Sequence, residues 1–161
     1  MIVYHGGTEI VKTPRILSRS VGRDFGVGFY TTSIREQAKK WARRQAVNRR
    51  VKTAVLNVYE YENDYAVEHL AIKTFEGYSF DWIDMVVSCR RDSSYRHGFD
   101  IVIGKIANDD VGETVQAIVD GLSSKEFALS RLVYMTANDQ ICFCSVNALT
   151  SLKFIASERA M

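Results

Sequence analysis

Three polar side chains of this 161-residue chain stand where short apolar runs begin or end. His5 closes the run Met1–Tyr4 and leads into Gly6, Gly7 and Thr8. Tyr30 lies in the block Asp24–Trp41, "DFGVGFYTTSIREQAKKW", behind Gly26, Gly28 and Phe29. Gln140 opens the late run "QICFCSV". An imidazole can donate and accept, an amide likewise, and a phenol ring offers a flat face for stacking. Glycines at a strand end let backbone groups approach a ligand, because no Cβ stands in the way. Each position also has a structural reading: a turn with a packed histidine, a glycine-rich hairpin leading into a surface helix, a buried amide. Periodicity leaves the three residues far apart, since it does not say which strands are neighbours.

Other chemistries find little support. There is no phosphate-binding loop or dinucleotide glycine fingerprint, and no zinc-protease histidine pair or serine-nucleophile elbow. His5, His69 and His97 are too scattered for a metal site, so none is expected. Cys89, Cys142 and Cys144 are odd in number and follow no secretory signal, which points to reduced thiols packed in a core. Cys142 and Cys144 share a face if they lie on a strand. Arg15, Arg19 and Arg23 add positive charge beside the glycine block. A basic segment, residues 35–50, carries Arg35, Lys39, Lys40, Arg43, Arg44, Arg49 and Arg50. It reads as a solvated helix face or as a contact for nucleic acid or an acidic partner.

Composition sets the frame. Apolar residues make up 47% and charged residues 25%, with a net charge of +2, as in an ordinary globular domain spanning residues 1–161. That charge is too small to imply a polyanionic partner by itself. No apolar run reaches the length of a membrane span, and the first residues lack a basic region followed by a long apolar stretch. A cytoplasmic location without membrane contact is the expectation.

The elements that must position the candidate residues follow from patterning. Met1–Tyr4, Phe29–Thr32, Thr53–Tyr61, Phe99–Ala107 and Gln140–Val146 read as strands. Ser33 is placed as the cap of a helix to Asn48 that buries Ile34, Ala38, Trp41, Ala42 and Gln45. Ser79–Arg90 is a second helix, capped by Ser79, burying Trp82, Met85, Val86 and Cys89. Asp110–Asp120 continues as a helix with Val111, Val115, Ile118 and Val119 inward. Ser123–Ala137 is a further helix with Ser123 and Glu126 as a capping box. Tyr65–Glu76 suits a strand or a short helix equally, and Asn147–Ala156 likewise.

"YHGG" at Tyr4–Gly7, "GFYTT" at Gly28–Thr32 and the alanine-tryptophan helix behind it resemble the ADP-ribosyltransferase fold, in particular its diphtheria-toxin-like group with a His-Tyr-Glu pattern. Nearly end to end, through "DFGVGFYTT", "FDIVIGKIAND" and "NDQICF…ALTSLKFI", the chain looks like DUF3990, a small bacterial family assigned to that fold. The resemblance implies an α+β architecture: two small antiparallel sheets packed as a split sandwich with flanking helices, and an NAD cleft between the sheets. It implies catalytic roles for His5, Tyr30 and Gln140. It also implies an NAD-binding set of His5, Gly6, Gly7, Thr8, Phe29, Tyr30 and Thr31. In that scheme His5 binds the adenosine ribose, the Gly6 backbone holds the carboxamide, Tyr30 stacks on nicotinamide, and Arg15 or Arg19 approaches the pyrophosphate without a motif to support it. Gln140 takes the place of the family glutamate. Glutamine can orient a ribose through its carbonyl but adds no negative charge. Asp139 would point to the opposite face, and Asn138 stands where arginine- or asparagine-modifying relatives carry a glutamate or glutamine.

The function implied is an NAD-dependent ADP-ribosyltransferase, a glycosyltransferase acting on NAD as co-substrate. Its acceptor would be a macromolecule, protein or nucleic acid, the latter docked on the basic segment. A toxin paired with an antitoxin, or a role in phage defence, fits a chain of this type. The alternative is a module with the same fold that binds NAD or a partner without turnover.

Overall fold

A computed structural model describes residues 1–16, 23–107, 109–132 and 138–160. In chain order the elements are β1 (Ile2–Gly7), β2 (Phe29–Thr31), α1 (Arg35–Asn48), β3 (Val55–Tyr61), α2 (Asn63–His69), β4 (Ile72–Thr74), α3 (Phe80–Arg91), β5 (Ile101–Gly104), α4 (Asp109–Val119), α5 (Lys125–Leu132), β6 (Gln140–Phe143), α6 (Val146–Leu149) and β7 (Leu152–Arg159). They form an α+β structure with two small sheets, ordered β1-β3-β7 and β2-β6-β5-β4.

The first sheet is antiparallel throughout. The second is mixed: β4 runs parallel to β5, with Ile72 beside Ile101, which corrects the expectation of two antiparallel sheets. The reason is the connection. A parallel pair needs a crossover, and α3 supplies it between β4 and β5. The ambiguous stretch Tyr65–Glu76 resolves into the helix α2 and the three-residue strand β4.

Side-chain alternation sorts the core into layers. Val3, Phe29, Tyr59, Tyr61, Ile101, Ile141 and Phe143 pack between the two sheets. The other face of the second sheet carries Val102 and Cys142, covered by Phe25, Phe75 and the buried residues of α3, α4 and α5. On the outer face of the first sheet, α1 lays Ala38 and Ala42 against Leu56 and Ala160. Here the sequence reading needs a correction. The buried stripe of α1 is Ala38, Ala42 and Ala46, and Trp41 is 40% exposed. The helix lies so close to β1 that a Cβ on Gly6 would collide with the Ala38 carbonyl and come within 2.9 Å of the Ala42 nitrogen. Only small residues fit that contact, so the large ring turns outward.

The caps shift in the same local way. Thr32 Oγ1, not Ser33, accepts the Ile34 N–H at the start of α1. Ser124, not Ser123, receives the Phe127 N–H at the start of α5. Ser79 caps α3 as expected, accepting from the Trp82 N–H at 3.1 Å. The end of the helix predicted to run to Ala137 lies outside the described residues.

Candidate functional site

The two sheets meet at one point. Tyr4 and Thr32 exchange backbone hydrogen bonds of 2.8 and 2.9 Å, joining β1 to β2. Beyond that bridge the strands part. Where the next ladder bond would fall, the His5 side chain takes over: Nδ1 lies 2.7 Å from the Tyr30 carbonyl oxygen, and the ring stacks on Phe29 with centroids 4.4 Å apart. A carbonyl only accepts, so Nδ1 carries the proton. Burial lowers the His5 pKa, and Arg23 and Arg49 reinforce that by repulsion, against the Tyr30 hydrogen bond. The ring is therefore neutral, and its Nε2 is an acceptor. Because β1 alternates, the N–H and C=O of Gly6 face away from β3, as those of Tyr4 do, toward the gap between β1 and β2.

On the second sheet Tyr30 stands opposite Cys142, and Gln140 lies two residues further along β6. Tyr30 and Gln140 thus share one face, while Phe29 and Thr31 turn to the packed layer between the sheets. Thr31 Oγ1 donates there to the Ile141 carbonyl. The Tyr30 hydroxyl is tied to its own glycine loop: it accepts from the Phe25 N–H at 3.1 Å and donates to the Gly26 carbonyl at 2.7 Å. Gly26 has φ of +72°, a conformation that glycine adopts at little cost. Burial, then the neighbouring Cys142, pushes the Tyr30 pKa well up, so the phenol keeps its proton. Arg23 lies over the ring at 5.4 Å from its centroid and over Trp41 at 5.9 Å. Arg49 donates to Thr8 Oγ1 at 3.2 Å. The mouth of the gap is thus aromatic and positively charged.

Gln140 is held by a buried polar network that the sequence did not announce. Its Nε2 donates to Asp24 Oδ2 at 2.9 Å and to the Lys105 carbonyl at 3.0 Å. Both partners accept only, which fixes the amide orientation and turns Oε1 away from them. Asp24 also accepts from Arg90 Nε and Nη2 at 3.1 and 2.6 Å and from the Ala107 N–H at 2.8 Å. Four donors converge on this carboxylate, whose side chain is 8% exposed against 14% for Arg90. The strap after β5 is tied at each residue: Lys105 O also receives Trp82 Nε1, Ile106 N–H donates to Asn138 Oδ1, and Ala107 reaches Asp24. Asn138 is therefore a buried structural amide. Asp139 points the other way and accepts from Thr32 Oγ1, the Ser33 N–H and Ser33 Oγ.

The structure places His5, Tyr30 and Gln140 on three neighbouring strands, β1, β2 and β6, although their side chains do not touch. His5 looks into the layer between the sheets, and Tyr30 and Gln140 look to the other side of β2 and β6. Arg15 is exposed, and Arg19 lies outside the described residues. Sequence reasoning missed Asp24, Arg49 and the outward turn of Trp41. The only signal for Asp24 was a charge set directly before Phe25 and two glycines. Among the described residues no cluster of His, Cys, Asp and Glu is arranged to hold a metal. No helix among them is long and apolar enough to cross a membrane.

The family profile described as "Protein of unknown function (DUF3990)" matches residues 1–154. No curated protein and no solved structure matches the chain.

Proposed function

The chain belongs to the DUF3990 family, and on that premise we propose that it is an NAD-dependent ADP-ribosyltransferase with the diphtheria-toxin-like arrangement, the dinucleotide bent around the junction of β1, β2 and β6. The observation that carries this reading is the convergence of His5, Tyr30 and Gln140, distant in sequence, on three adjacent strands where the sheets separate. Four features support it. The acceptor Nε2 of His5 suits a ribose hydroxyl. The Gly6 amide and carbonyl suit a carboxamide. Arg23 and Arg49 offer charge for a pyrophosphate. Gln140, with both amide hydrogens engaged, presents Oε1 to the second ribose. In this scheme Arg23 leaves the Tyr30 face when nicotinamide stacks there. The bond between nicotinamide and ribose breaks with cation character, and a nucleophile on the acceptor captures the ribose carbon. The basic face of α1 is the docking surface for a macromolecular acceptor. An antitoxin partner belongs to the same proposal.

A second reading is favoured by one observation: the carboxylate beside Gln140 is Asp24, already satisfied by four donors. On that reading the fold binds NAD without cleaving it. Nicotinamide release by the purified protein separates the two. Release that disappears in Tyr30→Ala supports transfer; binding without release supports the binding module. Release unchanged in Tyr30→Ala rejects the site.

A further inference from the structure

A second group of reactive side chains lies on the same face of β6, independent of NAD. Cys142 sits inside the strand, fully buried, and Cys144 follows just past its end, half-buried. Their sulfurs are 3.3 Å apart, and Cys144 Sγ is also 3.5 Å from the Cys142 carbonyl oxygen. The imidazole of His97 stands beside Cys144, anchored by Nε2 at 3.1 Å from the Phe25 carbonyl and by Nδ1 at 3.1 Å from the Phe99 nitrogen. Cys144 N–H donates to the Asp100 carbonyl at 2.7 Å, which fixes the turn that brings the two sulfurs together. Packing alone does not call for this arrangement. Cys89 is the contrasting case, buried in α3 with its thiol pushed up to about 12 by burial.

We propose that Cys144, with Cys142 as its resolving partner and His97 as its neighbour, is a peroxide-reactive thiol that closes a Cys142–Cys144 disulfide. The Cys142 thiol and then His97 hold the Cys144 thiol down to about 6, against its burial and the charge of Asp100. Burial and the adjacent Cys144 raise Cys142. One proton therefore stays on Cys142 while Cys144 carries the thiolate. That thiolate attacks a peroxide oxygen: an S–O bond forms, the O–O bond breaks, and hydroxide leaves and is protonated to water. The Cys142 sulfur then attacks the sulfenic sulfur: an S–S bond forms, the S–O bond breaks, and a second water departs. Two thiols lose two hydrogens, and one peroxide is reduced to two waters. The sulfurs must close from 3.3 Å to a bond of about 2.05 Å. Cys142 lies directly across from Tyr30, so the oxidation takes place at the edge of the candidate site.

The test uses the full-length protein, reduced, desalted, exposed to hydrogen peroxide at neutral pH, acid-quenched, denatured, alkylated and digested with trypsin. Cys142 and Cys144 fall on the peptide 132–153 and Cys89 on 74–90. The expected result is an unlabelled 132–153 peptide lighter by about 2 Da than its reduced form, with Cys89 labelled. Full labelling of both cysteines, oxidation of Cys144 that stops short of a disulfide, or a cross-link between the two peptides would overturn the proposal. In the native protein, alkylation of Cys144 is expected to reach half its maximal rate near pH 6. His97→Gln lowers that rate at pH 6 by about tenfold or more, one pKa unit being a factor of ten. A wild-type midpoint in the ordinary thiol range, or an unchanged rate in a folded His97→Gln protein, contradicts the assignment.

Discussion

Replacing Gln140 with the glutamate of the His-Tyr-Glu pattern should damage this protein, and the structure gives the size of the effect. In Gln140→Glu an oxygen replaces the nitrogen that stands 2.9 Å from Asp24 Oδ2 and 3.0 Å from the Lys105 carbonyl. Two ionised carboxylates at that separation repel by about 6 kcal/mol at an effective dielectric constant of about 20. The new side chain has a cheaper escape, which is to take up a proton. Holding a glutamate with an ordinary pKa of about 4.3 in its neutral form costs about 4 kcal/mol at pH 7 and about 1 kcal/mol at pH 5. The protonated acid can still donate to Asp24, so the Lys105 contact is the one hydrogen bond lost, at about 1 kcal/mol. The expected destabilisation is therefore about 5 kcal/mol at pH 7 and about 2 kcal/mol at pH 5, relative to wild type at each pH. Urea unfolding of both proteins at the two pH values measures it. Adding Asp24→Asn should remove most of the pH dependence. A loss that is the same at both pH values, or a Gln140→Glu protein as stable as wild type, would refute the placement of Asp24 against Gln140.

Three further outcomes are expected. The neutral His5 ring of the folded protein resists protonation while the unfolded chain takes up protons near the ordinary value of 6.5, so its contribution is complete above that pH and fades as pH falls through the depressed folded value. Stability curves of wild type and His5→Gln should differ in slope below pH 6.5, and parallel curves would deny the burial of this imidazole. Gly6→Ala drives a methyl group into the α1 backbone and should cost about 3 kcal/mol in thermal or urea unfolding. Trp41→Ala should change stability by less than about 1 kcal/mol, where a buried tryptophan would cost about 3–5 kcal/mol.

Much of the framework was readable because local signals and burial agree. In α3 the spacing of Trp82, Met85, Val86 and Cys89 and the Ser79 cap describe the helix that forms, because one broad face meets the second sheet. In α1 the spacing was equally clear and the buried face still came out rotated. The partner there is the bare backbone at Gly6, a property of β1 and not of the helix, so alanines go inward. Strand β4 was unreadable for another reason. Three residues are too few for a period to show, and its parallel pairing depends on α3 returning the chain to β5. Gln140 was placed correctly at the start of its strand, as was the turn of Asp139 away from it. Its partners were hidden, since Asp24, Arg90 and Lys105 meet it only through tertiary packing. The same limit applied to Cys142 and Cys144, whose shared face was visible while the approach of His97 was not.

The central claim is that the junction of β1, β2 and β6 receives NAD, and amide and side-chain chemical shifts during an NAD titration of the isotopically labelled protein test it most directly. The account predicts saturable shifts centred on His5, Gly6, Arg23, Tyr30 and the Gln140 side-chain amide. No response to NAD, or shifts confined to the distant α4–α5 surface around Leu122 and Phe127, would contradict it.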